Sequence, residues 1–168
     1  MRPGLFVLSA TVGLSISIFS LSALAAGEKR EEDGKWLTPD DTITYNVKED
    51  GAVDWYTYNG FRRYHSECHV CHGPDGMGST YAPALIDSIK NLDYYDFAEV
   101  VMSGRERKLA DGSTSIMPAF GDNKNVSCYG EDIFAYLLAR ADGAIERGRP
   151  RKRDAKPEGA KETESACH

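Results

Sequence analysis

The chain has 168 residues, 41% of them hydrophobic and 27% charged, an ordinary balance for one soluble globular domain. Its charge is uneven: residues 26 to 146 carry 12 basic and 22 acidic side chains, a net of −10, whereas residues 147 to 168 carry 7 and 4, a net of +3. An acidic body speaks against nucleic acid and suits a basic partner, although acidity also serves plain solubility.

In chain order, residues 1–25 read as a signal peptide. Arg2 gives a positive start, an apolar stretch runs from Leu5 to Leu24, and Ala23-Leu24-Ala25 offers a cleavage site after Ala25 or Ala26. The alternative is an uncleaved anchor, since the stretch is nearly long enough to span a bilayer. Residues 26–53 form an acid-rich, irregular leader with one short strand at TITYNV, where Ile43, Tyr45 and Val47 alternate with polar neighbours. Asp54 is placed to cap a helix through WYTYNGFRRYHSE, whose Trp55, Tyr58, Phe61 and Tyr64 recur at helical spacing. A second helix is expected across NLDYYDFAEVVMSG, stopped by Gly104, and a third across YGEDIFAYLLARA. Between them, residues 105–128 read as a loop, longer than the roughly 12–15 residues that a compact domain tolerates without a functional reason. The domain is expected to end at 146, and the charged tail, 147–168, to be disordered. Three short helices bury little by themselves, so something apolar is needed in the middle.

Residues 68–72 read CHVCH. Cys-x-x-Cys-His is the attachment signature of a c-type haem: the thiols of Cys68 and Cys71 add across adjacent vinyl groups, and His72 then binds the iron. Two rivals use the same letters. A thioredoxin-like pair needs a βαβ frame, which does not flank the motif. A zinc site could draw on Cys68, Cys71, His65, His69 and His72, but closed zinc sites usually take their second ligand pair from a separate knuckle. An export signal favours haem, which is attached outside the cytoplasm. It also favours a disulfide between the two remaining cysteines, Cys128 and Cys167, over two free thiols or an intermolecular bridge.

The sixth iron ligand must come from Met77, Met102, Met117, His65, His69 or His168. Met77, His65 and His69 sit too near His72 along the chain to reach the other face of the ring. Met102 belongs to a helix, where a methionine is more often core. His168 is the terminus. Met117 lies 45 residues past His72 in the long loop, with Pro118 stiffening the approach. If both positions are filled, the iron only cycles between two oxidation states. The alternative is a haem enzyme or gas sensor with an open sixth position, for which Arg105, Arg107 or His65 would have to supply a polar distal pocket.

These residues together resemble a class I cytochrome c. Gly60, Tyr64 and Cys68 keep the family's Gly-x-x-x-aromatic-x-x-x-Cys entry. Pro83 in YAPAL resembles the proline whose carbonyl orients the histidine ligand, MPAF at 117–120 resembles the methionine-ligand loop, and Ile133, Tyr136 and Leu137 match the terminal helix. Residues 58–85 and 115–150 further resemble four-cysteine cytochromes c associated with methanol metabolism in methylotrophic bacteria. The resemblance implies an all-α fold: helices wrapped around one covalently bound haem c, at residues 54–146. It implies a monomeric periplasmic electron carrier, not an enzyme, with no stable membrane insertion. A quinoprotein alcohol dehydrogenase would be its donor and another cytochrome or a terminal oxidase its acceptor. Cys68, Cys71, His72 and Met117 would hold the cofactor, with His72 and Met117 on the metal.

Overall fold

The computed structural model describes residues 28–167; the expected signal peptide and His168 lie outside the described residues. The frame is a crossed pair of helices, α1 (Trp55–Glu67) and α6 (Gly130–Ala141). Asp54 caps α1 as its position suggests: its carboxylate accepts from the Thr57 N–H at 2.8 Å and the Thr57 hydroxyl at 2.7 Å. It also accepts from the Asn46 N–H at 2.7 Å, which ties the leader to the helix start. The helices cross at Gly60, where a Cβ would stand 1.8 Å from the Asp132 carbonyl oxygen, so only glycine allows this approach. Around the crossing, Tyr64, Ile133, Tyr136 and Leu137 are buried, and the Tyr64 and Tyr136 rings lie 5.5 Å apart. Ile133 and Leu137 each contribute about 1.5–3 kcal/mol on burial.

Short elements complete the frame. After α2 (His69–His72), the chain turns through 74–76 into α3 (Leu85–Ser88) and then α4 (Tyr94–Ser103). Asp93 caps α4 through the Asp96 N–H at 2.8 Å, and Phe97 packs on Phe134 of α6 with centroids 5.4 Å apart. The three helices read from the sequence are therefore present within a few residues of their expected bounds.

Several expectations need correction. The fold is not purely helical. The leader forms an antiparallel sheet, β1 (Arg30–Glu32), β2 (Lys35–Leu37) and β3 (Ile43–Thr44), in that order. The strand expected at TITYNV is thus reduced to two residues, with Val47 bridging back to Val53. The long loop contains a hairpin, β4 (Arg105–Lys108) and β5 (Thr114–Met117), followed by α5 (Lys124–Ser127).

The tail, expected to be disordered, is built into the fold. Residues 152–154 run beside Val53, whose N–H donates to the Lys152 carbonyl and whose carbonyl accepts from Asp154. Arg153 lies over Trp55 and Tyr58, 5.0 and 4.8 Å from the ring centroids, and Lys156 over Trp55. The chain ends in α7 (Glu158–Ala166), which buries Ala160 and receives the Asp33 carboxylate at its Gly159 N–H. Cys167, next after α7, is disulfide-bonded to Cys128, with Cα atoms 6.4 Å apart. The expected pairing of these two cysteines is therefore present.

Candidate haem site

The C-terminal end of α1 delivers Cys68, and the single turn of α2 carries Cys71 and His72. His72 is 7% exposed, and its Nδ1 lies 2.9 Å from the Pro83 carbonyl oxygen. A carbonyl can only accept, so Nδ1 carries the proton and Nε2 keeps its lone pair for a metal. Beyond His72 the chain is tied down closely. Gly78 donates to the His72 carbonyl at 2.7 Å. The Tyr64 hydroxyl donates to the Gly73 carbonyl at 2.6 Å and accepts from the Gly76 N–H at 3.0 Å.

Asp75 is a site residue that the motif did not point to. It is 4% exposed and stands at φ 59°, a left-handed conformation that aspartate tolerates. Its carboxylate accepts from the Gly148 N–H at 3.0 Å and from Tyr136 and Arg147, and His65 Nε2 lies 3.4 Å away. Burial pushes the Asp75 carboxyl upward. The Gly148 bond, His65, Arg147 and Tyr136 outweigh it and hold the group below the usual range. The turn signal Gly-Pro-Asp-Gly was visible in the sequence, but the partners that close over it from residues 147–148 were not.

Cys68 and Cys71 are unpaired. Burial, with Glu67 and Cys71 adding to it, pushes the Cys68 thiol up to about 12. Among the described residues, no group of three or more His, Cys, Asp or Glu is arranged to hold a metal ion.

The other ligand candidates separate by location. Met77 is 41% exposed, with its sulfur near Arg140. Met102 packs into the core against Gly130. His65 sits between the Phe61 carbonyl, 2.9 Å from its Nδ1, and Asp75, and His69 packs edge-on against it. Met117 is half-buried against the core at the end of β5. Its segment is anchored on the end of α4: Phe120 and Gly121 donate to the carbonyls of Val101 and Met102 at 3.0 and 3.2 Å. At Gly104 (φ 75°), a Cβ would meet the Met117 carbonyl oxygen at 2.7 Å. Arg105 and Arg107, which an open distal pocket would recruit, are exposed on β4. The donor set fits a covalently held haem: two unpaired thiols at Cys-x-x-Cys spacing, an imidazole with its distal nitrogen free, and a thioether on a separately anchored strand.

No family model matches the chain. It is 54% identical over 136 residues to cytochrome c-553I of Paracoccus denitrificans, covering 81% of this chain and 60% of that protein's length. It is 40% identical over 97 residues to cytochrome c-555 of Methylococcus capsulatus, covering 57% of this chain and 72% of that one. The crystal structure of the c-type cytochrome XoxG from Methylobacterium extorquens AM1 superimposes with a TM-score of 0.77 at 53% identity, covering 86% of this chain and 87% of that one. Proteins of this kind carry covalent haem c and move electrons without acting as enzymes. Fold, attachment motif and relatives converge: the chain belongs to the class I c-type cytochromes and is related to those of methylotrophic bacteria.

Proposed function

We propose that the chain is a periplasmic monohaem carrier of single electrons, serving quinoprotein oxidation of methanol or a related alcohol. The observation that carries the reading is the 2.9 Å bond from His72 Nδ1 to the Pro83 carbonyl, which presents Nε2 as a metal ligand. In this reading Cys68 and Cys71 would hold the haem, and His72 and Met117 would supply the ligands to its iron. The haem supplies the reversible one-electron couple. The protein's own residues do the rest. Pro83 fixes the imidazole, Gly104 and the α4 carbonyls hold the Met117 segment, and Tyr64 fixes the backbone beyond His72.

Residues 1–25 act as the export signal, 26–53 as a leader, 54–146 as the cytochrome domain and 147–168 as a tail clasped to it. No described helix is long and apolar enough to cross a membrane. The carrier works as a monomer, taking electrons from a quinoprotein alcohol dehydrogenase and giving them to another cytochrome or a terminal oxidase. The link to methanol rests on the four-cysteine pattern and the methylotroph relatives.

Two measurements test the proposal. Met117→Ala abolishes the weak thioether-to-iron band and opens the iron to carbon monoxide, while Met77→Ala and Met102→Ala leave the spectrum unchanged. An unaltered spectrum in Met117→Ala sinks the ligand assignment. Stopped-flow mixing with pyrroloquinoline quinone alcohol dehydrogenases tests the donor; failure of every one to reduce the wild type rejects it.

A further inference from the structure

Apart from Met117 at its end, the β4–β5 hairpin has no role in the haem site described so far. Its tip is closed by Leu109 donating to the Ser113 carbonyl at 2.9 Å and by the Asp111 carboxylate accepting from the Ser113 N–H and hydroxyl. All four residues of β4 are exposed. A two-stranded ribbon alone is marginally stable in water, so an uncovered one that shows apolar side chains needs a reason. Ile116 is 64% exposed and Leu109 43%. Ile116 pairs with Glu106, beside the Lys108–Thr114 pair, on the face opposite Met117; Arg105 and Arg107 share the Met117 face. The ribbon thus carries Arg105, Arg107 and Lys108 against Glu106 and Asp111, a net of +1, on a body of net −10.

Its root is rigid and sits at the candidate ligand. Arg105 pairs directly with Met117, and Gly104 seats the Met117–Ala119 backbone against the end of α4. From this placement we infer that the hairpin is a docking element for an acidic face, with an apolar spot, on a redox partner, and that it brings that partner to the methionine side of the haem. Arg105 and Arg107, on the Met117 face, supply the charge complement, and Leu109, which continues that face of the ribbon, the apolar contact. The inference rests on the one-electron reading above.

Stopped-flow oxidation of the reduced, haem-loaded protein tests the placement without the natural partner. Ferricyanide, a trivalent anion, stands in for the acidic face, and tris(phenanthroline)cobalt(III), a trivalent cation, is its counter-probe. At low salt, R107E/K108E is expected to slow ferricyanide about fivefold and to speed the cobalt complex, with both effects fading at high salt. R151E/K161E makes the same change of net charge on the tail and is expected to alter both rates far less. R107K/K108R, which keeps the charges, is expected to behave as wild type. Equal responses of R107E/K108E and R151E/K161E overturn the inference, because they reduce the effect to overall charge. A ferricyanide effect confined to the hairpin, in a protein that no alcohol dehydrogenase reduces, would reject the proposed donor and leave the hairpin's role standing.

Discussion

Asp132 gives the sharpest test of the core. It lies in the first turn of α6, 6% exposed, and its carboxylate accepts from Asn59 Nδ2 at 2.7 Å. The other end of that amide, Asn59 Oδ1, is buried without a partner. Burial pushes the Asp132 carboxyl up to about 7; the Asn59 bond and Lys35 oppose the shift, while Glu131 and Asp54 add to it. The folded pKa is raised above the unfolded value, so the group's contribution is fully present below about pH 4 and is lost as pH rises through about 7. A shift of about three units is at most about 4 kcal/mol of stability lost across that window.

Asp132→Asn removes the titration and adds a donor. The new amide can accept from Asn59 Nδ2 and donate to Asn59 Oδ1, closing two bonds where one exists, a further gain of about 1 kcal/mol. The variant is expected to match the wild type within about 1 kcal/mol at pH 4 and to exceed it by about 3 kcal/mol at pH 8. Guanidinium unfolding of the haem-loaded protein at a series of pH values reads the difference directly. Asp54, which burial also pushes upward, is present in both proteins and largely cancels from the comparison. A difference that does not change with pH, or a variant weaker than wild type at pH 8, refutes the reasoning.

Gly60→Ala is expected to cost more than about 2 kcal/mol, because its Cβ would lie 1.8 Å from the Asp132 carbonyl oxygen and force α1 and α6 apart; a loss below about 0.5 kcal/mol in the same unfolding assay would mean that the helices can slide. Cys128→Ser with Cys167→Ser is expected to lose up to about 4 kcal/mol by the loop-closure argument for a separation of 39 residues, and wild-type stability in the double variant would show that α7 holds itself in place. Reduction by the true donor is expected to slow as salt rises, since screening shortens to about 8 Å at physiological ionic strength; a flat or rising salt series counts against electrostatic docking.

Local signals carried most of what was legible. Asp54 stands where a cap must stand, and α1 runs over the expected Trp55–Glu67. Gly60, Tyr64 and Cys68 share one helical stripe, so the approach to α6 and the delivery of Cys68 follow from their spacing. Pro83 was found through the family pattern, and its 2.9 Å contact with His72 supports that assignment. Each of these features is set within a few residues of sequence or within a motif.

The misreadings share one cause: long-range pairing by polar groups. The tail was expected to be disordered because it is almost without apolar side chains, and that inference treats apolar burial as the only source of order. Here the apolar surface belongs to the other partner. Trp55 and Tyr58 provide the rings, Arg149 and Arg153 lay their guanidinium groups on them, and Val53 and Asp75 accept the backbone at residues 154 and 148. The disulfide to Cys128 then limits how far the end of the chain can stray. The hairpin was missed for a related reason: Arg-Glu-Arg-Lys has neither apolar alternation nor strong strand propensity, and its register depends on the Ala-Asp-Gly tip and on the anchorage of Met117. In both places a charged segment is ordered by what it meets. The same property lets the clasped tail stay closed and the bare hairpin remain open to a partner.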